Sequence, residues 1–130
     1  MTCWRLINLG NTRRQKKKAA SITQQFPEHP FGWKILGAVL GQSGRVTEAV
    51  NEYQKAIALF PQDAEAHFDL GNTFKALGRL NEAEESYNRA IELKRDFAEA
   101  HSNLGVTLQE MGRFDEAKLS HARAIALKPD

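Results

Sequence analysis

The sequence contains one cysteine, four prolines, 8% aromatic residues and no long apolar run among its 130 residues. Its one cysteine, Cys3, cannot form an internal disulfide, and we interpret it as an ordinary terminal residue rather than a catalytic thiol. Polar residues interrupt every apolar stretch well before the roughly 20 residues that a membrane-spanning helix needs. The N-terminus has no uninterrupted apolar segment behind basic residues, as a signal peptide would. These absences predict a cytoplasmic protein that has no membrane partner.

The net charge of +2 is unevenly distributed. The first 29 residues contain six basic side chains and only one acidic one, Glu28, so residues 30–130 carry a net negative charge. The basic cluster at residues 13–18 could bind phosphate groups, because counterion release favours binding to nucleic acid. No aromatic side chain interleaves the cluster to stack on bases. We therefore interpret it as a solvated helix face and do not expect nucleic acid as a partner.

Small residues recur at one fixed interval of 34 residues. The recurring positions are Gly37, Gly71 and Gly105; Gly44, Gly78 and Gly112; Ala49, Ala83 and Ala117; and Ala56, Ala90 and Ala124. A unit of this length is too short to bury its own apolar face, so successive copies must stack on one another. Stacked helical units provide surfaces rather than reaction centres, and the period therefore predicts a binding protein.

Each unit has the pattern of two helices. In the first unit Trp33, Leu36 and Leu40 share one helical face. Gly44 is expected to end that helix, because glycine accepts the left-handed conformation common after helix C-termini. The second helices carry a similar stripe, which includes Tyr53, Tyr87 and His121. The repeated glycines of the first helices and alanines of the second are expected to let the two helices approach closely.

The second helices are expected to begin at good N-cap residues and to end where proline occurs. The expected starts lie near Thr47, Asn81 and Asp115. Pro61 is expected to end the first of these helices and Pro129 the last, because proline cannot continue a helix. The middle unit has Arg95 instead, and its second helix is expected to run on.

A family resemblance follows from these positions. The first unit resembles the tetratricopeptide repeat, which also has 34 residues. The resemblance lies in the pattern Trp33-x-x-Leu36-Gly37-x-x-Leu40, followed by Ala49-x-x-x-Tyr53 and then by Pro61. The resemblance implies an all-α fold, a right-handed α-solenoid of stacked antiparallel helix hairpins. It divides the chain into repeats at residues 30–63, 64–97 and 98–130, preceded by a degenerate leading repeat or an irregular N-terminal helix at residues 1–29.

The resemblance also implies a ligand site, because the first helices of this family line the inner groove of the solenoid. The groove residues best suited to a peptide are Lys34, Ile35, Phe68, Asp69, Asn72, Asn103 and Val106. Phe68, Ile35 and Val106 would hold apolar side chains. The asparagines would pair with an extended main chain, because an amide both donates and accepts. The alternative interpretation is a solvated inner face without a ligand.

Two groove patterns known within the family fit only in part. The chaperone clamp, which holds a peptide's terminal carboxylate, matches at Lys34, but Asp69 and Glu99 would repel that carboxylate. We therefore reject the clamp. The asparagine ladder of O-linked N-acetylglucosamine transferases matches at Asn103, is only approximated by Asp69 and fails at Ile35.

The sequence contains no catalytic motif. A glycine-rich phosphate loop, a nucleophile elbow, a cysteine pair and a helical histidine pair are all absent. His67 and His101 occupy equivalent positions of neighbouring repeats, too far apart to share a metal ion. His101 and His121 would supply only half of a tetrahedral site. We therefore expect no enzyme activity, cofactor, metal ion or small-molecule substrate.

The sequence as a whole predicts a non-catalytic scaffold that binds an extended peptide or a partner helix in its concave groove. The alternative is a substrate-recruiting array of a larger enzyme, a glycosyltransferase or sulfotransferase, whose catalytic domain lies outside these residues. These residues end with the third repeat, so its last helix is expected to be covered by a partner unless the chain is part of a longer protein. Self-association through that last helix is therefore a second expectation about partners.

Overall fold

The computed structural model describes residues 12–128, with side chains at Lys17 and from Ala20 onward. Seven α-helices, and no strand, occur in this part of the chain. They are α1 (Thr12–Gln25), α2 (Pro30–Gln42), α3 (Val46–Leu59), α4 (Ala64–Ala76), α5 (Leu80–Leu93), α6 (Ala98–Glu110) and α7 (Phe114–Leu127). The predicted all-α class is confirmed. The predictions for Cys3 and Pro129 concern residues outside the described range.

The helices form two compact units, Met1–Gln62 and Asp63–Asp130. In the first unit α2 pairs with α3 and also packs against α1. In the second unit α4 pairs with α5 and α6 with α7, while α5 packs against α6 and α4 touches α6. Consecutive helices thus bury their apolar stripes against each other within each unit. The repeat boundaries given above stay a prediction.

One glycine makes the turn in each hairpin. Gly44, Gly78 and Gly112 have φ angles of 82°, 76° and 79°, in the left-handed region that side chains with a Cβ rarely adopt. The N–H of the next residue donates to a carbonyl five residues back, as from Arg79 to Phe74 at 2.9 Å. This is the Schellman arrangement that ends a helix. The predicted glycine stops are confirmed.

The second helices begin at Val46, Leu80 and Phe114, one residue before the predicted positions, but the predicted N-cap residues are wrong. An arginine caps each of these helices, and its carbonyl accepts the first helical hydrogen bond. The three capping residues are Arg45, Arg79 and Arg113. The N–H of the same arginine closes the glycine turn, so the connection has no space for a separate cap. The expected caps, Thr47, Asn81 and Asp115, lie inside the first helical turn instead.

α3 and α5, whose ends were predicted from the presence or absence of a proline, differ in how well the prediction fits. α3 ends at Leu59, just before Pro61, as predicted. α5 does not continue through Arg95 as expected, but ends at Leu93 without a proline. The chain leaves the helix there and brings Phe97 into a buried apolar cluster. Burial of this large ring outweighs the local helical preference of the connecting residues.

A glycine of each first helix faces a ring of the second. A Cβ atom placed on Gly71 would lie 2.8 Å from the ring of Tyr87, and one on Gly105 would lie 2.8 Å from the ring of His121. The predicted close approach of the helices is confirmed. The atoms nearest to a Cβ at these glycines belong to the ring, while the alanines of the second helices, such as Ala83, are also buried.

The capping arginines also form ion pairs. Each donates to the glutamate three residues later, in the pairs Arg45–Glu48, Arg79–Glu82 and Arg113–Glu116. Arg113 also donates to Glu84 of the preceding hairpin at 2.8 Å. The hydrogen bonds from arginine hold the pKa of the Glu82 and Glu116 carboxyls below the usual range.

Gly71→Leu should lower the free energy of unfolding by about 1–3 kcal/mol, because the new side chain must displace the buried Tyr87 ring. Urea unfolding followed by circular dichroism measures the change. Gly41→Leu is the matched control, since nothing lies within 4 Å of a Cβ at that helical glycine. Equal stability of Gly71→Leu and the unmodified chain would contradict this packing.

Arg113→Gln should raise the pKa of Glu116, which the arginine holds low. The ionised Glu116 stabilises the fold above the pKa that it has in the unfolded chain, and this contribution is lost as pH falls through its lower folded value. A carboxyl NMR titration measures the midpoint. Arg79→Gln, the same change one hairpin earlier, should leave that midpoint unchanged, and identical Glu116 midpoints in both variants would refute the assignment.

Candidate functional site

Two asparagine amides meet on neighbouring first helices of the second unit. Nδ2 of Asn103, on α6, donates to Oδ1 of Asn72, on α4, at 2.8 Å. The same Asn72 oxygen accepts a hydrogen bond from the hydroxyl of Tyr87 on α5. One polar network therefore connects three helices, and both asparagines are half-buried.

Apolar groups lie beside this network. The half-buried ring of Phe68 lies 5.9 Å from the Tyr87 ring and 4.8 Å from the Phe97 ring, measured between centroids. Val106, also half-buried, follows Asn103 by one turn on α6. Phe68 is thus part of the unit's packing as well as of its accessible surface.

Two carboxylates, Glu110 and Asp69, act on the hydroxyl in this network. Burial raises the pKa of the Tyr87 hydroxyl well above its usual range, and the carboxylates of Glu110 and Asp69 add to this rise. The hydroxyl therefore stays protonated at physiological pH and remains a hydrogen-bond donor. The same carboxylates disfavour a ligand with negative charge at this point.

The structure assigns different environments to the predicted site residues. In the second unit it joins Asn72 and Asn103 directly, and it places Phe68, Asp69 and Val106 half-buried on the same two helices. In the first unit Ile35 is 7% exposed and belongs to the core. Lys34 is half-buried. That all seven residues line one groove stays a prediction.

Sequence reasoning missed the role of Tyr87. The apolar stripe identifies it as a packing residue, which its ring is, since the residue is fully buried. A buried phenol also needs a hydrogen-bond partner for its hydroxyl. The sequence offers a candidate partner, because Asn72 follows directly after Gly71, the glycine that faces Tyr87. The tyrosine also differs from the next repeat, which has His121 at the equivalent position.

His101 and His121 are packing residues in this structure. His101 is 5% exposed, and its Nε2 lies 3.2 Å from the carbonyl oxygen of Arg95. His121 is half-buried against Gly105. Between residues 12 and 128 no three His, Cys, Asp or Glu side chains come together in an arrangement that could hold a metal ion.

Over the same range, no helix combines the length and apolar character needed to cross a membrane.

The sequence matches two models of one protein family. A family model described as TPR repeat, the tetratricopeptide repeat, matches residues 37–78 and 71–112. A second model, described as Tetratricopeptide repeat, matches residues 97–128. Comparison with curated proteins gives no match.

Several solved structures share the fold over most of the chain. MamA from Desulfovibrio magneticus RS-1 has a TM-score of 0.88 at 22% identity, over 98% of this chain and 72% of that one. A thermophilic TPR protein of Thermus thermophilus has a TM-score of 0.80 at 23% identity, over 98% and 68%. YrrB, described as a TPR protein with an unusual peptide-binding site, has a TM-score of 0.84 at 26% identity, over 92% and 61%.

Proposed function

Because this chain belongs to the tetratricopeptide repeat family, whose members generally act as non-catalytic interaction scaffolds, we propose that it binds an extended peptide on α4 and α6 of its second unit. The observation that carries the proposal is the direct contact between Asn72 and Asn103. It places two amides side by side on a partly exposed surface. The peptide-binding site of YrrB, which is 26% identical, supports a peptide as the class of ligand.

The chemistry of this surface suits an extended main chain. Amides pair with peptide groups because they carry both a donor and an acceptor. Phe68 and Val106 flank the amides and would contact apolar side chains, which alternate along an extended peptide. Asp69 and Glu110 select against an acidic segment at this point. The ligand that fits best is a neutral or basic peptide with alternating apolar residues.

The alternative function, the cellular location and the role of the basic cluster rest on the sequence alone. The comparisons do not favour the alternative in which the chain recruits substrates for a glycosyltransferase or sulfotransferase. A cytoplasmic location is proposed from the sequence alone. The basic cluster at residues 13–18 lies in α1 (Thr12–Gln25), and of its side chains the structure describes Lys17, which is exposed.

The double variant Asn72→Ala with Asn103→Ala should bind peptide about thirtyfold more weakly, since two lost hydrogen bonds of about 1 kcal/mol each total about 2 kcal/mol and 1.4 kcal/mol equals tenfold. The probe is the tightest-binding peptide selected from a random library against the unmodified chain. Fluorescence anisotropy measures Kd. Phe68 is not substituted in this variant, because its ring also packs against Phe97 and its loss would affect the stability of the fold.

The matched control is Glu85→Ala with Asn88→Ala, two exposed positions on α5. It should bind the selected peptide as the unmodified chain does. Equal affinity of the asparagine double variant, or a library that yields no binder, would contradict the proposed function.

We also propose that copies of this chain associate through α7. Phe114, Leu119 and Ile125 are 61%, 61% and 63% exposed. Ile91, the α5 residue equivalent to Ile125, is half-buried in the cluster that contains Phe97. α7 therefore exposes Ile125 at a position where α5 buries an isoleucine. Contact with a second copy of the chain would remove the Ile125 side chain from water.

Ile125→Glu should shift the protein towards its monomer mass of 14.6 kDa at high concentration, because it places a charge at the apolar position of α7 that α5 buries at Ile91. Ile125 is exposed within a single copy, so the charge should leave the fold of that copy intact. Sedimentation velocity gives the mass, with Asn88→Glu as a charge control on α5. A chain that is monomeric before the substitution would refute self-association.

A further inference from the structure

The amide network leaves one donor group and one acceptor group unused. Oδ1 of Asn72 already accepts from both the Tyr87 hydroxyl and Nδ2 of Asn103, which occupies both of its lone pairs. Nδ2 of Asn72 and Oδ1 of Asn103 have no hydrogen-bond partner among the residues that the structure describes. Neither atom belongs to the buried unpaired groups, so solvent or a ligand reaches both.

Tyr87 determines which way these amides face. An isolated asparagine can exchange its oxygen and nitrogen by turning over. The neutral hydroxyl of Tyr87 has one hydrogen to donate, and its bond to Asn72 keeps the oxygen of that amide inward. Asn103 then directs its NH2 group at the same oxygen, and its own oxygen is left outward. The ring cannot move away easily, because it is fully buried and lies against Gly71.

We propose that Tyr87 is a positioning residue, and that the two amides it orients read the main chain of one residue of an extended peptide. Asn72 Nδ2 donates to the carbonyl oxygen of that residue, and Asn103 Oδ1 accepts from its N–H. In an extended chain these two groups point to the same side, as they do in a hydrogen-bonded pair of antiparallel strands. The inference rests on the proposed binding of a peptide at this surface.

This arrangement occurs at one repeat position among the described residues. The residues equivalent to Asn72 are Ala38 in the first unit and Val106 on α6. The residue beside Gly37, which faces Tyr53, is therefore an alanine and carries no amide. One such pair of amides fixes the register of the peptide, because it binds the main chain of one residue. It does not select the side chain of that residue. The loss of one specific peptide N–H should then weaken binding far more than the loss of others.

The first experiment removes only the hydroxyl. Tyr87→Phe keeps the ring against Gly71 but releases the amides, and it should weaken binding of the library-selected peptide by about fivefold to tenfold. Tyr53→Phe, the same change at the equivalent position of α3, should leave binding unchanged. Urea unfolding of both variants reports whether they keep the fold. Full affinity in a folded Tyr87→Phe variant would overturn the positioning role while leaving peptide binding intact.

The second experiment tests the main-chain reading. The selected peptide is prepared as a series with one N-methylated residue in each member, which removes one N–H donor at a time. The unmodified protein should show a loss of about tenfold at one position, and Tyr87→Phe should reduce that position-specific loss. A flat profile, or an identical profile in both proteins, would overturn this inference. Failure of every peptide to bind the unmodified protein would instead overturn the proposed function.

Discussion

The close approach of a glycine on the first helix to a ring on the second is the contact on which the rest of each hairpin depends. The ring of Tyr87 lies across Gly71 at a distance that no side chain there would allow. The same approach brings the Tyr87 hydroxyl to the first helix, where it reaches the residue next to the glycine, Asn72. One packing contact therefore stabilises the hairpin and organises the polar surface beside it.

The fold was predictable because it follows from residues that recur. The glycines that end the first helices have a positive φ in each hairpin, so a period in the sequence corresponds to a repeated backbone requirement. The helix starts were not predictable from N-cap preference. A capping arginine such as Arg79 closes one helix with its N–H and opens the next with its carbonyl, which leaves no position for Asn81 to act as a cap. The end of α5 depends on burial of Phe97, a tertiary contact.

The candidate site was predictable only as a set of surface residues. Asn72 and Asn103 are 31 residues apart, not 34, so they occupy different positions of their repeats and no periodic signal pairs them. Their contact arises from the way α4 and α6 lie together. The hydroxyl of Tyr87 was hidden for a related reason, since its ring satisfies the packing pattern. Chemistry in this chain thus arises where the repeats differ, at Asn72 and its counterparts Ala38 and Val106.

The shared arginine at each turn also has a consequence for motion. Because the N–H and the carbonyl of Arg79 belong to two helices at once, the end of α4 cannot fray without disturbing the start of α5. Fraying normally lets terminal turns open independently of the rest of a helix. Here the two helices are coupled at their junction, so amide hydrogens at the turn should exchange only when the whole hairpin opens. We therefore expect each hairpin to open as one cooperative element.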